Sequence, residues 1–257
     1  MSSNSTVIAD THCHFGAYSS RDEVLARAVD GEVKIVVATS RPSEYRDLSY
    51  RFGASSGIEI GLGFHPECAG SIYVPYELEI CRQFVSKVKW ISEVGMDAVI
   101  ADGVSSNFGA TPTLVAQREL LDIVLDMARP EQVLSIHSRG AEEDVIDAMR
   151  QHGLRRGVLH YFLGSNQLAS KARDEGLSFS VHPDMLKSAE GREFVEWVPL
   201  DAMLFETDGP YFSTDGRPIE PMDCLNLAIA VAEMRGMKTP DLMASVASNF
   251  DRLVSDS

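Results

Sequence analysis

Short apolar runs rich in β-branched residues recur at a nearly constant interval along this chain of 257 residues. There are eight of them, and the polar residues that close the runs stand at positions 14, 39, 65, 93, 137, 160, 182 and 208. Six of the seven intervals are 22 to 28 residues long, and one is 44. Such a step leaves room for one strand and one helix, the repeat of β/α units. The spacing therefore predicts an α/β fold with a single domain over residues 1–257, a (β/α)8 TIM barrel.

Amphipathic segments fill the gaps between the runs. RDEVLARAVDG, residues 21–31, and AEEDVIDAMRQHG, residues 141–153, carry apolar residues at helical spacing. The longest interval contains a polar, glycine-rich segment, DGVSSNFGATP, at residues 102–112. We expect this segment to form an extended loop over the functional end of the barrel.

Composition limits the class of protein. With 44% hydrophobic and 24% charged residues, the chain can bury a sizeable core. Its apolar runs are far shorter than a membrane-spanning helix, and its first residues lack the basic and apolar regions of a secretory signal. The four cysteines are scattered, without a CxxC pair, which favours a reducing compartment. We therefore expect a cytoplasmic protein with no membrane partner.

The formal net charge of −15 restricts how the chain can meet a phosphate-bearing substrate. Proteins that bind nucleic acid through broad phosphate contacts usually present a basic face. The acidic composition of this chain does not indicate such a face. A phosphate group would have to be held locally, by bound cations or by a few arginines.

Six of the seven histidines stand at the ends of the apolar runs; only His152 does not. In TIM barrels the active site lies at the carboxyl ends of the strands. His12 and His14 are two residues apart, so on a strand they point to the same side. This distribution predicts a metal site at that end of the barrel.

Carboxylates complete the predicted ligand set. A carboxylate in an apolar strand, such as Glu93, costs free energy unless it is paired or bound to metal, and its two oxygens can bridge two cations. The predicted metal ligands are His12, His14, Glu93, His137, His160 and Asp208. They suit two divalent ions, zinc, manganese or magnesium. Such a pair would lower the pKa of a bound water from 15.7 to about 7, which indicates hydrolysis, most naturally of a phosphodiester.

Three further residues are candidates around these ligands. Glu206 shares a strand face with Asp208 and is expected to support a ligand from behind, while Asp208 itself is a possible general base; together with Glu93 these are the predicted catalytic residues. Arg139 either makes a bidentate phosphate contact or forms a surface salt bridge. His65 is expected in the pocket, and not necessarily on metal.

Six motifs in the chain resemble the TatD-type metal-dependent deoxyribonucleases of the amidohydrolase superfamily. They are DTHCH, GFHP, SEVGMD, HSRGA, LHYFLGS and ETDGPYF, in the family's order from residue 10 to residue 212. The resemblance implies a metal-dependent DNase on a TIM barrel with the six ligands named above, and a role for His65 and Arg139 in binding phosphate. The family usually has Gly-Leu-Asp-Tyr after the bridging glutamate, whereas this chain has GMDA at residues 95–98.

Two longer segments, LSIHSRGAEEDVIDAM and LSFSVHPDMLKSAEGREFV, are similar to QatD, the TatD-like subunit of the Qat antiphage defence systems. This similarity implies that the protein acts beside other Qat proteins, including an ATPase and a QueC-like enzyme. The expected substrate is DNA, as single strands or ends.

Two alternative functions stay open. The first is an amidohydrolase acting on a small ester, amide or phosphoester; many of these bridge their metals with a carboxylated lysine on the fourth strand. Here Glu93 stands at that strand end, and neither Lys87 nor Lys89 is in register with it, which favours the nuclease. The second is a non-catalytic metal-binding subunit of a defence complex, against which the complete ligand set argues.

Overall fold

The computed structural model describes residues 7–103 and 108–255, and its central feature is a sheet of eight parallel strands. The strands are β1 (Ile8–Cys13), β2 (Val33–Val37), β3 (Ile58–Ile60), β4 (Trp90–Gly95), β5 (Val133–His137), β6 (Gly157–His160), β7 (Ser178–Val181) and β8 (Met203–Phe205). They pair in the order β3-β2-β1-β8-β7-β6-β5-β4 and form a nearly closed barrel. The prediction of a TIM barrel is confirmed.

Helices connect the strands and form the outer layer. They are α1 (Arg21–Asp30), α2 (Pro42–Phe52), α3 (Val74–Phe84), α4 (Ala98–Ala101), α5 (Leu114–Met127), α6 (Glu142–Gln151), α7 (Asn166–Asp174), α8 (Ala189–Trp197), α9 (Asp223–Met234) and α10 (Thr239–Val254). A small hairpin of β9 (Ser213–Thr214) and β10 (Arg217–Pro218) follows β8. None of the helices in the described part of the chain has the length and apolar character needed to cross a bilayer.

The barrel closes between β3 and β4 through the segment that follows β3. The amide of Leu62 donates to the carbonyl of Trp90 at 3.0 Å, and the amide of Ser92 donates back to Leu62 at 2.9 Å. One step further, the amide of Phe64 donates to the carbonyl of Glu93 at 2.8 Å. The seam therefore runs directly past the backbone of Glu93.

Gly63 allows this seam to form. A Cβ atom there would lie 1.4 Å from the carbonyl oxygen of Thr39 and 2.5 Å from the amide nitrogen of Glu93. Those two groups are themselves bonded, since the amide of Glu93 donates to Thr39 at 3.1 Å. Only a residue without a side chain can pass through this contact.

Gly63→Ala is expected to lower the free energy of unfolding by about 4 kcal/mol or more, because its methyl group meets backbone that cannot rotate away. Urea titration followed by circular dichroism measures the loss. Gly216→Ala is the control: a Cβ at that position would have nothing within 4 Å, and only the positive φ of 77° opposes the change. That variant should lose about 1–2 kcal/mol, and equal losses in both variants would contradict the role assigned to Gly63.

The predicted loop at residues 102–112 falls partly within the described residues. Residues 104–107 lie outside them, whereas Phe108 and the two residues after it are described. The segment packs closely on the chain after β3, since a Cβ on Gly70 would lie 1.8 Å from the carbonyl oxygen of Ala110. Phe108 thereby reaches a cavity at the carboxyl ends of the strands.

Candidate metal centre

The six predicted ligands meet at the carboxyl end of the barrel. His12 lies within β1 and His14 just beyond it, Glu93 lies within β4, His137 and His160 end β5 and β6, and Asp208 follows β8. Five of the six line one cavity of about 540 Å³, and His12 lies buried against it within reach of Glu93 and Asp208. Side chains that are up to 196 residues apart in the chain thus share one site.

Four ligand atoms form a first group: one oxygen of Glu93 and one atom each of His12, His14 and Asp208. Glu93 Oε2 lies 3.5 Å from His14 Nε2 and 3.8 Å from His12 Nε2. Asp208 Oδ1 lies 3.3 Å from His14 Nε2 and 3.9 Å from His12 Nε2. Four ligands about 2 Å from one tetrahedral ion would be roughly 3.3 Å apart, so these separations suit a single cation.

The other oxygen of Glu93 faces a second group. Glu93 Oε1 lies 2.8 Å from His137 Nδ1 and 2.9 Å from His160 Nε2, and these two nitrogens are 3.0 Å apart. His65 Nε2 lies at 3.6 Å from the same oxygen. The carboxylate of Glu93 thus divides its two oxygens between two sets of histidines, the arrangement of a bridging ligand.

Unpartnered polar atoms show that the residues fit a cation. His12 Nε2 and Asp208 Oδ1 are buried and have no hydrogen-bond partner among the described residues. A buried polar atom without a partner costs free energy. Both atoms belong to the first group, where a bound cation would satisfy them.

The electrostatics put His12 and Glu93 in the protonation states that metal binding needs, whereas other histidines of the centre hold a proton. Burial lowers the pKa of His12 well below its usual value, and the neighbouring His160 lowers it further, which leaves a neutral imidazole. Burial alone would raise the pKa of Glu93, but the surrounding histidines hold it well below its usual range. Burial opposes protonation of His14 as well, yet the carboxylates of Asp208 and Glu93 beside its ring raise its pKa to about 10. Without metal, protons on the histidines therefore offset the negative charge of the carboxylates. A bound cation would displace those protons.

His12 is oriented by a strand on the far side of the barrel interior. Its Nδ1 lies 2.6 Å from the hydroxyl of Ser135 in β5. With Nδ1–H donating to that hydroxyl, Nε2 is left free toward the first group. Its ring also stacks on that of His160, with centroids 3.9 Å apart.

Asp97 is a site residue that the sequence reasoning missed. His137 Nε2–H donates to Asp97 Oδ2 at 2.8 Å, which leaves Nδ1 of the same ring for the second group. Gln117 in α5 fixes Asp97, accepting from its amide at 2.6 Å and donating to its carbonyl at 3.0 Å. A carboxylate behind a ligating histidine sets the tautomer and basicity of that ligand. The available signal was an aspartate four residues after Glu93.

Asp97→Asn is expected to weaken metal binding about 10- to 100-fold, because a neutral amide lacks the charge with which the carboxylate raises the basicity of the His137 ring. The asparagine oxygen can still accept from the amide of Ile100, as Asp97 Oδ1 does at 2.9 Å, so the start of α4 is preserved. Competition with a chelating dye measures the affinity. Asp102→Asn, at an exposed position shortly after α4, should bind metal like the unmodified protein, and an equal loss there would contradict the prediction.

The remaining predicted residues lie around the two groups. Glu206 is buried behind His160, with Oε1 3.7 Å from Nδ1, and its other oxygen accepts from the hydroxyl of Ser180. His65 lines the cavity. Arg139 is exposed at the rim of an adjoining cavity of about 340 Å³, which His137 and Asp208 also line. Its guanidinium makes no hydrogen bond or ion pair with the described residues.

Asp10 fixes the loop that carries Asp208, and the sequence reasoning gave it no role. Its carboxylate accepts from the amide of Thr207 at 3.0 Å and from the hydroxyl of the same residue. The amide of Asp208 then donates to the carbonyl of His12 at 2.9 Å. These bonds hold Asp208 in the left-handed region, with φ 51°, which few residues other than glycine adopt.

Comparisons with known proteins show what the chain is similar to. A family model described as TatD related DNase matches residues 9–255. The uncharacterized metal-dependent hydrolase YcfH of Escherichia coli is 28% identical over 265 residues, which cover 96% of this chain and 95% of that protein. Human deoxyribonuclease TATDN3 is 25% identical and covers 96% of this chain and 94% of its own length. The crystal structure of YjjV, a TatD homolog from Escherichia coli, superimposes with a TM-score of 0.82 at 24% identity, over 96% and 97% of the two chains.

Proposed function

The chain belongs to the TatD-related DNase family of metal-dependent hydrolases, and on that premise we propose that it hydrolyses phosphodiester bonds of DNA at a centre holding two divalent cations. One observation carries the proposal. The two oxygens of Glu93 face two separate sets of histidines, with Asp208 completing the first. Zinc, manganese and magnesium are the candidate ions, and nitrogen-rich donors favour the first two.

The residues divide the chemistry between them. Two cations, when bound, would supply a water of lowered pKa and offset the charge of the phosphate. Asp208 is placed to accept the proton of that water: burial alone would raise its pKa, but the His14 imidazole beside it lowers the pKa and keeps the carboxylate ionised. Glu93 holds the two sets of histidines at a fixed distance. Glu206 stays behind His160 and supports that ring.

The phosphate needs positive groups at the rim, since the protein as a whole is acidic. Arg139 meets this need, because its guanidinium is exposed beside the metal centre and carries no carboxylate partner within the described residues. His65 lines the cavity on the other side of Glu93. Both residues are therefore proposed to bind the scissile phosphate or its neighbour.

The structure gives less support to a small amide or ester substrate. That chemistry often uses a carboxylated lysine as the bridging ligand, whereas Glu93 occupies the bridging place here. Lys87 and Lys89 are exposed at the opposite end of β4, away from the centre. The site is also open to two adjoining cavities, which suits a chain-like substrate.

Purified protein incubated with end-labelled single- and double-stranded DNA tests the proposal. Cleavage in Mn²⁺ or Mg²⁺, its loss in EDTA and its return on adding back the metal are expected. Absence of cleavage under all metal conditions, together with turnover of a small amide or ester, would overturn it. A protein that binds metal and cleaves neither class of substrate would instead support a non-catalytic subunit.

The relationship to the Qat branch, and with it a role in antiphage defence, stays a prediction. We propose that the protein acts in the cytoplasm on single strands or ends of DNA beside other Qat proteins. Co-purification of a tagged chain with a Qat ATPase or QueC-like protein from a host that carries all the components is the expected result. Recovery of the tagged chain alone under those conditions would contradict the partner prediction.

A further inference from the structure

A second cavity of about 670 Å³ opens beside the metal centre; we name it the side groove. Its walls are the segment after β3, residues 70–77, and residues 108–110, with Arg41 at its edge. Phe108 lines both the side groove and the metal cavity. Ser40 lines the metal cavity and its neighbour Arg41 lines the groove. A ligand that extends from the metal centre can therefore continue into the side groove.

The side groove is built from aromatic and apolar side chains. Tyr73 and Tyr76 remain 64% and 50% exposed, although burying such rings is normally favourable. Glu77 is the one carboxylate among the described residues that line the groove. It is buried and already accepts from the amide of Ser43 at 2.8 Å and from its hydroxyl at 2.6 Å. The groove therefore offers ring faces and little free negative charge.

Arg41 adds a cation to this aromatic surface. Its guanidinium lies 5.0 Å from the centroid of the Phe108 ring and makes no hydrogen bond or ion pair with the described residues. Several other arginines of this acidic protein are held by carboxylates, as Arg27 is by Glu220 and Arg173 by Asp201. A guanidinium over a ring presents a planar face for stacking and N–H groups for a phosphate.

We propose that the side groove binds an unpaired nucleobase of the DNA strand whose phosphodiester lies at the metal centre. The inference rests on the proposed function and adds a substrate requirement to it. Stacking on aromatic rings and on arginine is the general way in which proteins hold single strands, and every base offers a face for it. A base within a duplex is stacked and paired on its own strands, so it cannot enter. The volume lies in the range of ordinary ligand sites.

Octathymidylate and an octamer of abasic tetrahydrofuran nucleotides separate the base from the phosphodiester. For the unmodified protein, we expect the kcat/KM for cleavage of the thymidine octamer to be at least about tenfold higher than that for the abasic octamer, mainly through a lower KM. In Tyr73→Ala and Tyr76→Ala that preference should fall about tenfold. Tyr50→Ala removes a still more exposed tyrosine, 96% exposed, from α2, outside the groove, and should keep the full preference.

Binding of both octamers is measured in parallel by fluorescence anisotropy in EDTA, where cleavage is not needed. Base-dependent binding that is lost in Tyr73→Ala, without cleavage by any form of the protein, would support the side groove and refute the nuclease. Cleavage of both octamers at equal rates would leave the nuclease and overturn the side groove. A sedimentation coefficient that falls from dimer to monomer in Tyr73→Ala would assign the groove to a second copy of the chain and also overturn the proposal.

Discussion

Glu93→Gln is expected to lower the kcat for DNA cleavage by about 10³-fold, a loss worth about 4 kcal/mol of transition-state stabilisation. An amide keeps the size of the carboxylate but supplies one neutral oxygen in place of two charged ones. Since the two oxygens of Glu93 face different sets of histidines, both proposed cation sites would lose their common ligand. The metal content per chain, measured by elemental analysis after metal loading, should fall from two ions toward none.

Glu220→Gln provides the matched control for that change. Glu220 is a partly buried glutamate that receives two hydrogen bonds from Arg27 and does not line the metal cavity. Its variant should keep the full metal content and full kcat even where the midpoint of urea unfolding falls. If Glu93→Gln kept two ions and normal cleavage, the carboxylate would not be the bridge, and the proposed centre would be wrong.

Asp208→Asn is expected to lower kcat by a similar factor, about 10³-fold, while removing only one ion. Asp208 touches the first group alone, where its Oδ1 lies 3.3 Å from His14 Nε2. The second group, around Glu93 Oε1, keeps all its donors. The amide also cannot accept the proton of the attacking water, so supplying excess metal should not restore the rate. A titration with Mn²⁺ followed by cleavage measures both effects.

Asp223→Asn is the corresponding control for this second change. Asp223 is a buried aspartate in α9, held by Arg217 through two hydrogen bonds. Its variant should cleave DNA at the normal rate per folded molecule. Loss of both ions in Asp208→Asn would contradict the division of the donors into two groups.

The barrel and the position of its functional end could be predicted because both follow from local sequence. Strand runs are apolar and β-branched, and their polar closing residues stand where the carboxyl ends of parallel strands must meet. The helices predicted from the amphipathic segments at residues 21–31 and 141–153 were equally evident, and they form α1 and α6. The hairpin of β9 and β10 was not foreseen, although its turn at residues 215–216 is the Asp-Gly pair typical of such turns.

Helices with mostly polar composition were harder to predict. The apolar stripe of α2 consists of Tyr45, Leu48 and Phe52 in an otherwise charged segment. In α8 the buried residues Phe194 and Val195 are adjacent, and Gly191 is needed because a Cβ there would lie 2.3 Å from the carbonyl oxygen of Met185. Such requirements come from tertiary packing and leave little periodicity in the sequence.

Within the site, residue types were predictable and atomic roles were not. Chain spacing indicates that Glu93 meets histidines, but which oxygen faces which imidazole depends on side-chain rotation. Asp97 was missed because it acts on His137, 40 residues away, through a bond that only the folded barrel creates. The side groove depends likewise on the meeting of residues 70–77 with Phe108.

The closing seam has a consequence for how the protein responds to scarcity of metal. Glu93 lies in β4 on one side of the seam. His12 lies in β1, two strands away from β3 on the other side. An ion bound by both side chains, as proposed, would link the two sides of the seam through the interior of the barrel. Opening the seam would then require breaking metal–ligand bonds as well as backbone hydrogen bonds. In a cell poor in divalent ions, the barrel would therefore be less stable and more easily proteolysed, and the protein would also be inactive.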